Sequence, residues 1–119
     1  MMRMVMAVAV VVSCALTVWA QAPEKKAYFM VQSDVTNAQQ YAEYAKLTGP
    51  IVEKFGGRFL SRGGRSATLE GRQAPGRVVV IEFPSYERAQ AFYNSPEYQK
   101  AKKVRDGAAT LQVVLAEGM

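Results

Sequence analysis

The chain has 119 residues, enough for one domain, and its 50% hydrophobic and 21% charged residues are the balance of a globular chain, not a disordered one. It contains no histidine and one cysteine, Cys14, and its net charge is +5. The lack of histidine excludes Ser-His and Cys-His catalysis, His-ligated haem and the usual zinc sites.

The first twenty residues differ in composition from the rest. Arg3 precedes an uncharged run, residues 4–20, which ends at Ala20 before a polar segment begins at Gln21. A basic start, an apolar core and a small residue at the end are typical of a secretory signal peptide. We predict cleavage near Ala20 and a periplasmic or secreted mature protein that is not stably inserted in a membrane. Two alternatives stay open: an uncleaved anchor, since the run is at the short limit of about 17–25 residues for a spanning helix, and lipidation at Cys14.

Cleavage at this point would remove both Arg3 and Cys14, which lowers the net charge from +5 to +4. The mature chain would then be unable to form a disulfide, although the compartment would permit one. Its stability would have to come from a hydrophobic core, and the remaining length is enough to form one.

Residues 21–26 are predicted to be a flexible lead, and residues 27–118 a single domain. Its first half is predicted to contain a strand at 27–33, a helix from 38 to 55 that Gly49-Pro50 interrupts or kinks, and a strand at 58–70 that is bent or broken at Gly63-Gly64. The second half is predicted to contain a loop at 71–76, a strand at 77–83, a helix capped by Ser85, a short helix capped by Ser95 with Pro96 at its first position, and a strand at 109–117.

The resulting order, β-α-β-β-α-β, is that of the ferredoxin-like fold, an α+β fold with a four-stranded antiparallel sheet and helices on one face. In this topology the fourth strand pairs with the first and the third strand is central. The apolar residues 78–81 are consecutive, which predicts that both faces of the sheet are covered. Because the helices cover only one face, we predict a homodimer in which two sheets pack face to face.

Several short motifs are found together in this sequence. They are Tyr41-x-x-Tyr44, Phe55-Gly56-Gly57-Arg58, Arg62-Gly63-Gly64, Leu69-Glu70-Gly71, Val80-Ile81-Glu82-Phe83-Pro84-Ser85, and Ser95-Pro96-Glu97-Tyr98 followed by Arg105. Their combination resembles the domain-of-unknown-function 1330 family, within the dimeric α/β-barrel superfamily, over about residues 27–118. The resemblance implies the ferredoxin-like fold and the face-to-face dimer, but no established reaction.

Glu82 interrupts an apolar strand, on the face that it shares with Val78 and Val80. A carboxylate in such a place must be ion-paired, hydrogen-bonded or protonated. It is either a general base or ligand anchor in a cavity, or half of a structural ion pair with an arginine from a neighbouring strand or subunit, and we favour the ion pair. The partner considered first is Arg105, with Arg62 or Arg77 expected if Glu82 faces away from it.

The other candidate ligand-binding residues are tyrosines and arginines. Tyr41 and Tyr44 lie on one helical face, where they either line a pocket or pack in the core. Arg62 belongs to the basic stretch 54–77, which either holds an anionic ligand or is a solvated surface. Arg105 is predicted to lie near the end of the last helix, at 96–106. With Glu82, these residues form the candidate set for ligand binding.

We therefore predict an exported homodimer that binds a small molecule, anionic or aromatic, with no cofactor, no metal and no nucleic acid as partner. One alternative is a cofactor-independent oxygenase or isomerase, which rests on analogy with the superfamily. The other is a structural or interaction dimer that binds no ligand.

Overall fold

The computed structural model describes residues 24–72 and 76–119. The predicted signal peptide, the first half of the predicted lead and the middle of the loop at 71–76 lie outside the described residues. Within them the elements are β1 (Ala27–Val35), α1 (Ala38–Lys54), β2 (Arg58–Arg62), β3 (Arg77–Phe83), α2 (Tyr86–Asn94), α3 (Pro96–Val104) and β4 (Ala109–Glu117). In the part of the chain that the structure describes, no helix has the length and apolar character needed to cross a membrane.

The four strands form one antiparallel sheet in the order β2-β3-β1-β4. Phe29 of β1 lies between Ile81 of β3 and Leu115 of β4, which sets the register across the centre of the sheet. The fold is therefore the ferredoxin-like α+β fold, and the predicted positions of the third and fourth strands are confirmed.

Side-chain caps determine where the helices begin. The Asn37 side chain accepts a hydrogen bond from the backbone N–H of Gln40, over 3.1 Å, at the start of α1. Ser85 accepts from the N–H of Arg88 at the start of α2, and Ser95 accepts from that of Tyr98 at the start of α3. Each cap satisfies a backbone N–H that has no partner inside the helix. The predicted caps at Ser85 and Ser95 are confirmed.

Helix α1 runs through Pro50 without interruption, so of the two alternatives at Gly49-Pro50, an interruption or a kink, the interruption is wrong. Proline lacks an N–H and costs the helix one hydrogen bond. Buried residues on both sides, Tyr44 and Thr48 before Pro50 and Val52 after it, keep the helix packed on the sheet. Tertiary packing here outweighs the local preference of proline.

The strand predicted at 58–70, bent or broken at Gly63-Gly64, is broken there: β2 ends at Arg62, and the part of the prediction after the glycines is wrong. Gly63 has φ 72°, in the left-handed region that favours glycine, and its N–H donates to the carbonyl of Val78. The chain leaves the sheet at this turn. Among the described residues after it, 63–72 belong to no strand.

The two faces of the sheet differ in burial. The helix-covered face carries Phe29, Val31, Val79, Ile81 and Phe83, all buried. They pack with aromatic rings of α2 and α3, where the Phe92 ring centroid lies 4.5 Å from that of Tyr98 and 5.1 Å from that of Phe83.

The opposite face, which we call the open face, carries apolar side chains that the single chain leaves partly exposed. Met30 of β1 is 37% exposed and Val114 of β4 is 46% exposed, and they are cross-strand partners. Val78 and Val80 of β3 are half-buried beside them. The open face is therefore a partly apolar surface that the helices of the same chain do not cover.

Candidate ligand site between helix α1 and the sheet

A cavity of about 30 Å³ lies between α1 and the helix-covered face of the sheet. Most of its walls are aromatic and aliphatic, with hydroxyl and guanidinium groups at a few points. A cavity of this size holds about one water molecule, so it is the inner end of a site and not a ligand pocket by itself. Its lining includes Phe29, Val31, Tyr41, Tyr44, Ala45, Thr48, Phe59, Arg62, Arg77, Val79, Ile81, Phe92 and Tyr98.

Two tyrosine hydroxyls and one arginine form a polar cluster at the cavity wall. The hydroxyls of Tyr44 and Tyr98 lie 2.7 Å apart and share a buried hydrogen bond. Arg105 lies behind them, with its Cζ 5.0 Å from the centre of the Tyr44 ring. This arrangement places a positive charge beside two phenol oxygens.

Burial, and then the neighbouring Tyr44, raise the pKa of Tyr98 above its usual value of 10.0. For Arg105, burial disfavours the charged form, but the hydroxyls of Tyr44 and Tyr98 outweigh it and the pKa is raised. At neutral pH the tyrosine is therefore neutral and the arginine charged. The cluster can donate hydrogen bonds toward an oxygen atom in the cavity.

Arg62 reaches the cavity because β2 contains a β-bulge. Phe59 pairs with Ile81, but Ser61 pairs with Val80, so the register shifts at Leu60. The shift turns Arg62 to the helix-covered face, since a bulge reverses the alternation of side chains that follow it. There Nη2 of Arg62 donates to the carbonyl of Ala45 over 2.9 Å, and Cζ lies 4.1 Å from the centre of the Phe59 ring.

Arg77 lies at the start of β3, on the same face as Val79. Its guanidinium lies close to the Gly63 backbone and also to the ring of Tyr41, whose centre is 5.6 Å from Cζ. Its Nε is buried and has no hydrogen-bond partner among the described residues. Arg77 was expected as a partner of Glu82, but the structure places it in the cavity lining.

Glu82 is not part of this site. Its carboxylate lies on the open face and accepts from Nζ of Lys26 over 3.1 Å and from Nη2 of Arg58 over 3.3 Å. Arg58 is its cross-strand neighbour in β2. The preferred interpretation, an ion pair with an arginine of a neighbouring strand, agrees with this geometry.

The partners named for Glu82 are wrong. Arg62 and Arg77 both lie on the helix-covered face, on the other side of the sheet. Arg105 is next to the Tyr44 ring, on that same side. An arginine on the opposite face of the sheet cannot reach the carboxylate of Glu82.

The structure thus brings together four of the five candidate residues. Tyr41, Tyr44 and Arg62 line the cavity, and Arg105 supports it from behind. Whether they bind a ligand stays a prediction.

Three lining residues with polar side-chain groups were not among the candidates: Thr48, Arg77 and Tyr98. Two of them had a signal in the sequence. Arg77 shares its strand parity with Val79, and Thr48 lies four residues after Tyr44 on the same helical face. The contact between Tyr98 and Tyr44 joins residues 54 apart and has no local signal.

The match to a family model covers residues 26–119, and the model describes a domain of unknown function, DUF1330. The chain belongs to this family. No curated protein matches it. The family assignment confirms the resemblance drawn from the motifs, and it supplies no reaction.

Solved structures of low identity share the fold. A protein of unknown function from Rhodopseudomonas palustris is 22% identical, with a TM-score of 0.66 over 81% of this chain and 84% of its own. SnoaB, a cofactor-independent oxygenase from Streptomyces nogalater, is 12% identical, with a TM-score of 0.52 over 80% and 94%. A dimeric ferredoxin-like protein of unknown function from Thermobifida fusca is 11% identical, with a TM-score of 0.51 over 82% and 95%.

Proposed function

We propose that this protein binds a small organic molecule between α1 and the sheet. The observation that carries the proposal is the inner cavity together with the groove that adjoins it, a mostly apolar space with a few polar groups in its lining. Aromatic walls can contact the apolar part of a ligand. The Tyr44 and Tyr98 hydroxyls, with Arg62 and Arg77, can orient the ligand through hydrogen bonds. This combination is the usual composition of a ligand site.

The inner cavity extends the site toward a larger space outside α1. Tyr41, Ala45 and Arg77 line both the cavity and an adjoining groove of about 530 Å³. The groove lies within the size range of about 300–1,000 Å³ for ligand pockets. Because the Tyr41 side chain lines both spaces, a ligand in the groove would reach the cavity by displacing it.

Native mass spectrometry of the purified protein tests this proposal. We expect a bound species that is lost on denaturation, and that is absent from Ala45→Leu, where the larger side chain fills the shared wall. Ala91→Leu, at an exposed position of α2, is the matched control and should keep the ligand. Absence of any bound species, together with no thermal stabilisation by a panel of organic acids, ketones and aromatics, would contradict the proposal.

A second candidate function is a cofactor-independent oxygenase or isomerase. One observation favours it: the Tyr44–Tyr98 hydroxyl pair with Arg105 behind it can donate to the oxygen of an enolate. Glu82 cannot serve as its base, because it lies on the opposite face of the sheet. Oxygen uptake with the enolisable aromatic ketone 2-tetralone, lost in Tyr44→Phe and retained in Tyr93→Phe, would support this function.

We further propose that the protein forms a homodimer through the open face. Met30, Val80 and Val114 leave an apolar surface there, and burying each half-exposed side chain would contribute on the order of 1 kcal/mol. Leu69, on the segment after β2, is 91% exposed and adds to the apolar surface.

Light scattering tests the homodimer. We expect the mass of a dimer at micromolar concentration. Val80→Asp should dissociate or unfold it, because it places a charge in the interface, whereas Ala91→Asp on α2 should leave it dimeric. A folded monomer of the unmodified protein would refute this proposal.

We also propose export, on the basis of the sequence pattern from Arg3 to Ala20. Mass analysis of protein from fractionated cells should find a mature chain that begins at Gln21 outside the cytoplasm. A species that retains Met1, or one lipidated at Cys14, would contradict cleavage at Ala20.

A further inference from the structure

The groove outside α1 has an apolar wall on one side and a positively charged residue on the other. One wall is apolar and comes from α1 and the end of β1, with Val35, Ala38, Ala42 and Ala45 among its residues. The opposite side carries Arg77. A groove with one apolar wall and one cationic side fits a molecule that is itself amphipathic and negatively charged.

The position of Arg77 is held by its neighbours. A Cβ placed on Gly63 would lie 2.5 Å from Nη1 of Arg77, so the guanidinium lies directly against the glycine backbone. The Tyr41 ring lies near the guanidinium as well, with its centre 5.6 Å from Cζ. An arginine held in this way loses little conformational entropy when it binds a ligand.

The charge of Arg77 is not neutralised within the described residues. The ion pairs there involve Lys26, Lys46, Lys54 and Arg58, and not Arg77. Its Nε is buried without a hydrogen-bond partner in that same part of the chain, which is a costly state for a guanidinium N–H. A carboxylate in the groove can accept from the Nη groups of Arg77, and when the Tyr41 side chain is displaced it can also accept from Nε and so supply the missing acceptor.

A second cation lies on the groove's rim. Lys46 lines the groove and pairs with Glu43 at 3.5 Å, with both side chains mostly exposed. Exposed pairs of this kind are weak, so Lys46 is available to a bound anion. No carboxylate side chain is among the groove's described lining residues.

We propose that the groove binds an organic monocarboxylate with an apolar body, its carboxylate on Arg77 and its body against the alanine face of α1. The inference rests on the proposed function and adds to it the chemical class of the ligand. Lys46 contributes a second, weaker attraction at the rim. Tyr41 covers the junction between the carboxylate and the body.

The test uses 4-phenylbutyrate and its neutral amide, 4-phenylbutanamide, as matched probes in a ¹⁵N NMR titration of the mature protein. The Nε–H of Arg77 and the backbone N–H groups of Gly63 and Ala45 report on the groove. We expect 4-phenylbutyrate to shift these signals and to bind at least about tenfold more tightly than the amide, since the charge-assisted pair is lost with the amide.

Two arginine variants distinguish a specific contribution of Arg77 to binding from the general attraction of a positively charged protein. Arg77→Gln should weaken 4-phenylbutyrate about tenfold or more, whereas Arg65→Gln, an exposed arginine of the following loop, should change it less than about twofold. Should Arg77→Gln fail to fold, Lys46→Gln provides a second measurement, with an expected loss of about two- to threefold.

Each contrary outcome has a distinct meaning. Equal binding of acid and amide at these signals would overturn the carboxylate assignment and leave the proposed function standing. If inorganic phosphate shifts these signals as strongly as 4-phenylbutyrate does, the requirement for an apolar body is wrong. Signals that move with protein concentration, and not with probe, would assign the groove to a second copy of the chain. If no probe shifts any signal of the groove or cavity, the inference fails, and the proposed function then depends on the native mass spectrum alone.

Discussion

The hydrogen bond between Tyr44 and Tyr98 offers a sharp test of the site's construction. Tyr98 is 1% exposed and Tyr44 is 7% exposed, and their hydroxyls lie 2.7 Å apart. The change Tyr98→Phe removes one hydroxyl and nothing else. It leaves the buried Tyr44 hydroxyl without its Tyr98 partner.

The expected cost follows from that geometry. A buried polar group that loses its partner costs about 1–3 kcal/mol. The Tyr44 hydroxyl keeps its interaction with Arg105, so we expect the lower part of the range, about 1–2 kcal/mol. For a domain of this size each kcal/mol lowers the Tm by about 4–8 °C, so the melting point should fall by about 4–16 °C.

Urea unfolding and thermal melts of Tyr98→Phe measure this loss. Tyr93→Phe is the matched control, because the Tyr93 hydroxyl accepts from Lys102 in a partly exposed place and its loss should cost less than about 1 kcal/mol. The double variant with Tyr44→Phe should lose less than the sum of the single variants, because the two hydroxyls interact directly. A cost for Tyr98→Phe no greater than that of the control, or strict additivity in the double variant, would refute the reasoning.

Three further predictions concern pH, an ion pair and a close approach. The pKa of Tyr98 is raised in the folded state above its usual 10.0, so the unfolded state loses that proton first as the pH rises. The contribution of Tyr98 to stability is therefore complete below about pH 10 and falls above it. Between pH 9 and pH 11, the free energy of unfolding measured in urea should fall less for Tyr98→Phe than for the unmodified protein. Glu82→Gln should cost at most about 1 kcal/mol of stability, since the side chains of Lys26 and Arg58 that pair with it are largely exposed. A double-mutant cycle with Arg58→Gln should show coupling between the two residues, and strictly additive losses would disprove the ion pair. Gly57→Ala should cost about 1–3 kcal/mol of stability, because its Cβ would lie 2.7 Å from the core side chains of Phe83 and Val52. Gly64→Ala is the control: open space surrounds Gly64, so its stability should change by less than about 0.5 kcal/mol. Equal melting points for the two variants would contradict this prediction.

Much of the fold could be predicted because its signals are local. The strands at 77–83 and 109–117 have the predicted bounds, since their runs of β-branched and aliphatic residues end at proline or glycine. The caps at Ser85 and Ser95 were predictable because a capping side chain bonds to a backbone N–H only three residues away. The interruption considered at Pro50 was wrong, because the local preference of proline was outweighed by packing against distant residues.

The sequence by itself determined the order of elements, the ferredoxin-like topology and which β3 residues share a face, because these depend on periodicity and local chain chemistry. Only the tertiary structure decided the composition of the site. One bulge at Leu60 places Arg62 on the face opposite Arg58, although the two have the same parity in the sequence, and so it determines which arginine reaches Glu82. No local sequence pattern indicates a one-residue shift of register, because the shift changes how the strand pairs with another strand that is distant in the sequence.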